Sequence, residues 1–388
     1  MVDSRVAIDG QVSPGFQAVR DAFAQNFSRR RELGAACCVY YHGEKVVDLW
    51  GGVRDAASGA PWEEDTMVVV HSTTKGLAAM TLALAHSRGW LDYDERVSRY
   101  WPEFAQHGKE ALTVRQLLAH QAGLFALEPK ADRTLLRDPE RLAKLLVQQK
   151  PAWPPGARQG YHAITLGYYE SELLRRVDPK RRTLGRFFQE EIADPLRIEF
   201  YIRLPRAVPD ARLAPLERAG VAAILRGFPL RFTLAAFNPG SNIHRALAGS
   251  EFPLDERHVY ARELEVPSGG GVGTARAIAR AYSAFVRGDL GLRDQTLRAL
   301  AAPVPALYDE CMMSPVSFSL GFMKPGEAFP FGSSARAFGA PGAGGSLGYA
   351  DPDAGIAYGY VTNRMGTALT GDPRDVALRE ALRSAIGG

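Results

Sequence analysis

Cysteine is scarce in this chain, with only Cys37, Cys38 and Cys311 among 388 residues. Three thiols without paired spacing make neither a disulfide framework nor a structural zinc site. Cys37 and Cys38 fall in an apolar run and read as small packing groups. Cys311 is a conceivable nucleophile, but no base lies near it in sequence. Long apolar stretches are also missing. No run approaches the roughly 20 apolar residues of a membrane span, and none follows the opening Met1-Val2-Asp3-Ser4-Arg5. The expectation is a cytoplasmic protein with no membrane partner. Neither sign of charge dominates, since 47 basic and 43 acidic side chains leave a formal net charge of +4. The densest basic stretches, Arg29-Arg30-Arg31 and Lys180-Arg181-Arg182, read as solvated helix ends, so no nucleic-acid partner is expected. The eight histidines include no H-E-x-x-H pairing, which argues against a metal. The loop Gly269 to Gly273 lacks the Lys-Ser/Thr of a phosphate loop and the spacing of a dinucleotide fingerprint. It reads as a turn or a cleft wall, and no cofactor is expected.

The composition, 46% hydrophobic and 23% charged, is that of an ordinary globular protein. Residues 14 to 30 have the pattern of an amphipathic helix. Ala35 to Tyr41 and Val46 to Trp50 are apolar runs split by His42-Gly43-Glu44-Lys45, a hairpin pattern. A short strand at Met67 to Val70 leads into a helix with Leu77, Met80, Leu84 and Ala85 on its buried side and Gly89 as its stop. From about 90 to 265, helical segments alternate with long loops. Thr113 starts one helix, and Ile164 to Val177 forms another. Residues 200 to 265 are proline-rich and irregular, the kind of segment that covers a site. Beyond the glycine loop come a helix at Thr274 to Val286, strands at Ser346 to Tyr349 and Ile356 to Thr362, and a last helix with Asp372 as N-cap and Pro373 in its first turn. Strands gather at both ends and helices in the middle. This predicts an α+β fold, in which residues 1–88 and 266–388 build one antiparallel sheet with terminal helices and residues 89–265 form an inserted, mostly helical domain.

Ser72-Thr73-Thr74-Lys75 sits at the mouth of the first apolar helix. A serine hydroxyl needs a base within hydrogen-bond reach to act as a nucleophile. Positions i and i+3 share a helix face, so the Lys75 amine should lie beside the Ser72 hydroxyl. The positive end of the helix dipole disfavours an ammonium there and favours the neutral amine. The run Gly344-Gly345-Ser346-Leu347-Gly348 matches the G-x-S-x-G elbow of α/β-hydrolases. That elbow requires a strand followed by a helix, whereas Ser346 stands between strands. Ser346 is therefore read as a decoy whose replacement by alanine leaves activity largely intact.

Three ordered sets of residues resemble the serine β-lactamase and penicillin-recognising superfamily, and most closely its family VIII carboxylesterases. Ser72-Thr73-Thr74-Lys75 matches S-x-x-K. Tyr161-His162-Ala163 stands where these enzymes carry Y-x-N or Y-H-A. Ala340-Pro341-Gly342-Ala343-Gly344-Gly345 stands where lactamases carry K-T-G. Leu117-Leu118-Ala119-His120-Gln121-Ala122-Gly123-Leu124 is similar to the family's L-L-x-H-x-S-G-L. The resemblance implies a β-lactamase-like fold and a small-molecule ester substrate. Ser72 would be the nucleophile, and Lys75 with Tyr161 the coupled base. The Ser72 and Ala343 N–H groups would form the oxyanion hole. Gly342, Gly344, His162 and Gly270 are candidates to line the substrate cleft, with a packed or capping role the alternative for His162. Two departures count against efficient lactam hydrolysis. Ala163 replaces the lactamase asparagine and Ala340 the lysine of K-T-G, groups that hold the amide and carboxylate of a β-lactam at roughly 1.5–3 kcal/mol per charge-assisted contact. An uncharged ester needs neither. Weak β-lactamase, amide or D-peptide hydrolase and acyltransferase activities remain alternatives on the same site, as does a non-catalytic ligand-binding descendant.

Overall fold

The hairpin turn consists of His42 and Gly43, with φ of 47° and 86°. A two-residue hairpin of type I′ requires this left-handed geometry at both central positions. In the computed structural model, which describes residues 6–220, 227, 229–248, 256–368 and 371–387, this hairpin begins a sheet built from distant parts of the chain. Its strands are β1 (Ile8–Val12), β2 (Gly34–Tyr41), β3 (Glu44–Asp55) and the short β4 (Ala60–Pro61). Next come β5 (Val68–Val69), β6 (Phe200–Tyr201) and β7 (Val272–Gly273), which form a separate three-stranded sheet. The remainder are β8 (Leu307–Asp309), β9 (Ser314–Ser319), β10 (Phe322–Lys324), β11 (Phe338–Pro341), β12 (Leu347–Asp351) and β13 (Ile356–Thr362). The large sheet runs β1-β3-β2-β13-β12-β11-β10-β9-β8, with β4 attached to β3. All its pairings are antiparallel, and Tyr358 lies opposite Val39 where the two ends of the chain meet.

Successive side chains of a strand point to opposite faces, and β2 follows that rule. Cys37 and Val39 pack with Val19, Phe23, Leu378 and Leu382 of the helices Gln17–Arg29 and Pro373–Ile386. Cys38 packs on the other face, in the cluster that holds Leu77, Ile278 and Tyr282 of the helices Thr73–Ser87 and Ala275–Arg287. The result is a layered α+β fold with helices on both faces of the sheet. Burial pushes both thiols up, and all three cysteines are buried and free, consistent with a packing role. The Ala275 helix crosses the sheet closely at Gly359, where a Cβ would lie 2.3 Å from the Ala275 carbonyl oxygen.

The caps follow the sequence closely. Thr113 and Gln116 form a capping box, Thr274 accepts from the Ala277 N–H, and Asp372 accepts from the Arg374 N–H. One expectation fails in part. Residues 200 to 265 are not uniformly irregular, because Leu230–Phe237, Asn242–Ala248 and Glu256–Tyr260 are helical. Leu230, Leu234 and Phe237 recur at helical spacing but remain exposed. Their apolar pattern therefore marks no buried face, and the prolines around them hid the helix. Residues 221–226, 228 and 249–255 of that segment lie outside the described residues. No helix among the described residues is long and apolar enough to cross a membrane.

Candidate active site

β5 ends two residues before His71, whose φ of 44° turns the chain sharply into the Thr73–Ser87 helix. Ser72 takes the N-cap position of this helix but makes no side-chain cap bond. Serine is favoured at N-caps because its oxygen accepts a helix N–H, so here the hydroxyl is spent elsewhere. Ser72 Oγ lies 2.8 Å from Tyr161 Oη and 3.2 Å from Lys75 Nζ. The three side chains anticipated from two separate motifs thus lie together.

Lys75 is 3% exposed. It donates to Ser72 Oγ, to the Ala163 carbonyl at 2.7 Å and to the Ser268 carbonyl at 2.8 Å. Three acceptors match the three protons of an ammonium. The carbonyls of Ala163 and Ser268, contributed from outside the helix, hold Nζ beside Ser72. Ala163 has no side-chain amide, and its backbone carbonyl meets Lys75 Nζ.

The Tyr161 ring is fixed on several sides. It stacks on Phe318 at 5.6 Å and 12°, meets His120 at 5.1 Å, and has the Lys75 ammonium 4.9 Å from its centroid. Its backbone N–H donates to Asp309 Oδ1, which also accepts from the N–H groups of Cys311 and Met312. Asp309 is fully buried. Burial pushes its carboxyl up, while these hydrogen bonds pull the other way. Sequence reasoning missed Asp309 and Phe318. They stand about 150 positions from Tyr161 and belong to no motif, so no local pattern marks them.

His162 does not line the cleft, contrary to the expectation. It is 0% exposed, accepts from the Leu124 N–H through Nε2 and lies 3.1 Å from His120 Nδ1 through its own Nδ1. His120 Nδ1 also accepts the His162 backbone N–H. One tautomer assignment satisfies these contacts, with His162 protonated at Nδ1 and His120 at Nε2. Burial pushes His162 down to about 3 and His120 well below its ordinary value. The pair is a neutral brace behind Tyr161. Gly270 is also buried and donates to the Val266 carbonyl. Its neighbour Gly271 holds the Ser72 helix, accepting the Val70 N–H and donating to Thr74 Oγ1. These residues support the helix start rather than open onto a cleft.

The Gly342–Gly345 loop joins β11 to β12. Ala343 is exposed at its tip. Among the described residues, neither the Ser72 nor the Ala343 N–H has a backbone or side-chain acceptor. Gly342, by contrast, spends its N–H on the Ser346 carbonyl at 2.8 Å, and the Gly344 carbonyl accepts from Gly366 and Arg374. Ala340 is buried and faces Gly76, so no charge stands where lactamases carry lysine. Ser346 is buried between β-strands, as the argument against an elbow requires. One further group lies below the site. Glu170 is fully buried, and neither carboxyl oxygen has a hydrogen-bond partner among the described residues. Burial pushes it up to about 8, opposed by the Lys75 charge.

A family model described as Beta-lactamase matches residues 19–383. The chain is 33% identical over 384 residues to the esterase/beta-lactamase LipL of Mycobacterium tuberculosis (strain ATCC 25618 / H37Rv), a match covering 95% of this chain and 85% of that protein. Among solved structures, a family VIII carboxylesterase gives a TM-score of 0.86 at 35% identity, covering 98% of this chain and 100% of that one. EstA from Arthrobacter nitroguajacolicus Rue61a gives 0.85 at 31% identity, covering 97% and 98%.

Proposed function

Since the chain belongs to the beta-lactamase family and is a hydrolase of that fold, we propose that it is a serine carboxylesterase that cleaves small, short-acyl esters through an acyl-enzyme at Ser72. The observation that carries this reading is the Ser72 hydroxyl, free of any capping duty and 2.8 Å from Tyr161 Oη and 3.2 Å from Lys75 Nζ. Ser72 Oγ attacks the ester carbonyl carbon, and its proton passes to the Tyr161 and Lys75 pair. With Lys75 already donating to three acceptors, Tyr161 Oη, reacting as the phenolate that the Lys75 ammonium stabilises, is the group placed to receive that proton, and it becomes the phenol. The carbonyl oxygen takes up negative charge against the N–H groups of Ser72 and Ala343, each such donor being worth roughly 2.7–4 kcal/mol. The carbon–oxygen bond to the alcohol then breaks, and the departing oxygen takes the proton back. Water, deprotonated by the same pair, attacks the acyl carbon and releases the acid and Ser72.

The esterase names of LipL and EstA and the family VIII carboxylesterase structure support ester over lactam. The uncharged Ala340 supports it independently. A secondary β-lactamase activity is the second reading, favoured by the double name of LipL. The test is turnover of nitrophenyl acetate and butyrate and of a chromogenic cephalosporin, with fluorophosphonate labelling, by wild type and Ser72→Ala. Ester cleavage and labelling that vanish in the variant are expected. Unchanged ester hydrolysis in Ser72→Ala would refute the nucleophile. Cephalosporin turnover faster than ester turnover would overturn the ester assignment.

A further inference from the structure

The serine of the unused G-x-S-x-G run joins the two places from which the oxyanion donors come. Ser346 Oγ lies 2.9 Å from the Val70 carbonyl oxygen, to which it donates, and 3.0 Å from Thr73 Oγ1. Val70 and Thr73 flank Ser72 in sequence. On the other side, the Ser346 carbonyl accepts the Gly342 N–H, one residue before Ala343. One buried side chain therefore ties the start of the nucleophile helix directly to the loop that carries the second donor. Gly342 allows the approach, because a Cβ there would stand 2.3 Å from both Ser346 Oγ and the Val70 carbonyl oxygen. The far side of the loop is held by the Gly344 carbonyl, which accepts from Gly366 and Arg374. Without the Ser346 hydroxyl, the side facing the nucleophile keeps the backbone bond from the Gly342 N–H to the Ser346 carbonyl.

We propose that Ser346 is a positioning residue that sets the distance between the Ser72 and Ala343 N–H groups through its bridge to Val70 and Thr73. This rests on the reading of those two groups as the oxyanion hole. Ser346 touches no reacting atom. Its effect falls on the transition state, where the donors must meet a developing charge, and little on ground-state binding. Removing an oxyanion donor outright costs about 10²–10³ in kcat, and a loosened donor should cost less. The expectation of near-intact activity for Ser346→Ala is accordingly revised.

The experiment compares wild type, Ser346→Ala, Thr73→Val and Ser72→Ala with nitrophenyl butyrate, measuring kcat, KM, the fluorophosphonate labelling rate and Tm. Thr73→Val removes the second arm of the bridge while leaving Ser346 in place. Ser346→Ala should lower kcat roughly tenfold to a hundredfold, with KM changed less than about threefold and the labelling rate falling in parallel. Thr73→Val should show the same pattern at smaller amplitude. Label should still map to Ser72 in both. A kcat within twofold of wild type in both folded variants would overturn the inference. So would a loss confined to KM or to Tm. If Ser346→Ala fails to fold, Thr73→Val alone decides. Activity that survives Ser72→Ala would instead sink the functional reading, and the two failures are told apart by that variant.

Discussion

Tyr161→Phe separates the two candidate bases. The substitution removes one oxygen, 2.8 Å from Ser72 Oγ, and little else. The ring keeps its stack on Phe318 and its contact with His120, the backbone N–H keeps Asp309, and Lys75 keeps its bonds to the Ala163 and Ser268 carbonyls. Tyr161 is half-buried, so the lost hydrogen bond should cost about 0.5–1.5 kcal/mol of stability, or at most a few degrees in Tm for a chain of this size. The catalytic cost should be far larger. General-base proton transfer contributes about 10²–10⁴ in rate, equivalent to roughly 2.7–5.4 kcal/mol of barrier. The assay is kcat and KM for nitrophenyl butyrate beside a thermal melt. A fall of at least a hundredfold in kcat with Tm nearly unchanged is expected. If Lys75 alone took the proton, Tyr161→Phe would lose less than about tenfold, and that result would refute the assignment of the phenol as proton acceptor.

Two further outcomes follow from the packing. Glu170→Gln probes the buried carboxyl held at about 8 against an ordinary 4.5. A raised folded value means that its stabilising contribution is full below about 4.5 and is lost as pH rises through about 8. The stability difference between Glu170→Gln and wild type should therefore shift in favour of the variant between pH 5 and 8 and level off above; a difference independent of pH in chemical denaturation contradicts the buried, unpartnered state. Gly342→Ala places a methyl 2.3 Å from Ser346 Oγ and from the Val70 carbonyl oxygen. It should cost about 1–3 kcal/mol and lower kcat, and a variant with wild-type Tm and kcat would show that the loop is not held there.

The site was legible in unequal parts. Ser72 and Lys75 are three residues apart on one helix, so helical periodicity alone brings them together. Tyr161 stood out through its motif, whereas its supports Asp309 and Phe318 carried no mark, because a buried carboxylate and a stacked ring are ordinary residues until a neighbour from another segment arrives. His162 failed as a cleft residue for the same reason. Its place beside Tyr161 in sequence does not say which way its ring turns, and the partners that turn it inward, His120 and Leu124, lie some forty residues away.

Local chemistry written into the chain determined the hairpin at His42-Gly43, the capping residues Thr113, Thr274 and Asp372, the apolar helix behind Ser72 and the spacing of its lysine. Each depends on neighbours within a few positions. Tertiary structure alone decided the hydrogen-bond partners of Lys75, the burial of the histidine pair and the bridge from Ser346 to Val70 and Thr73. Those depend on groups brought together across about 40 to 280 positions, where packing geometry, not sequence spacing, sets which polar atoms are left to face one another.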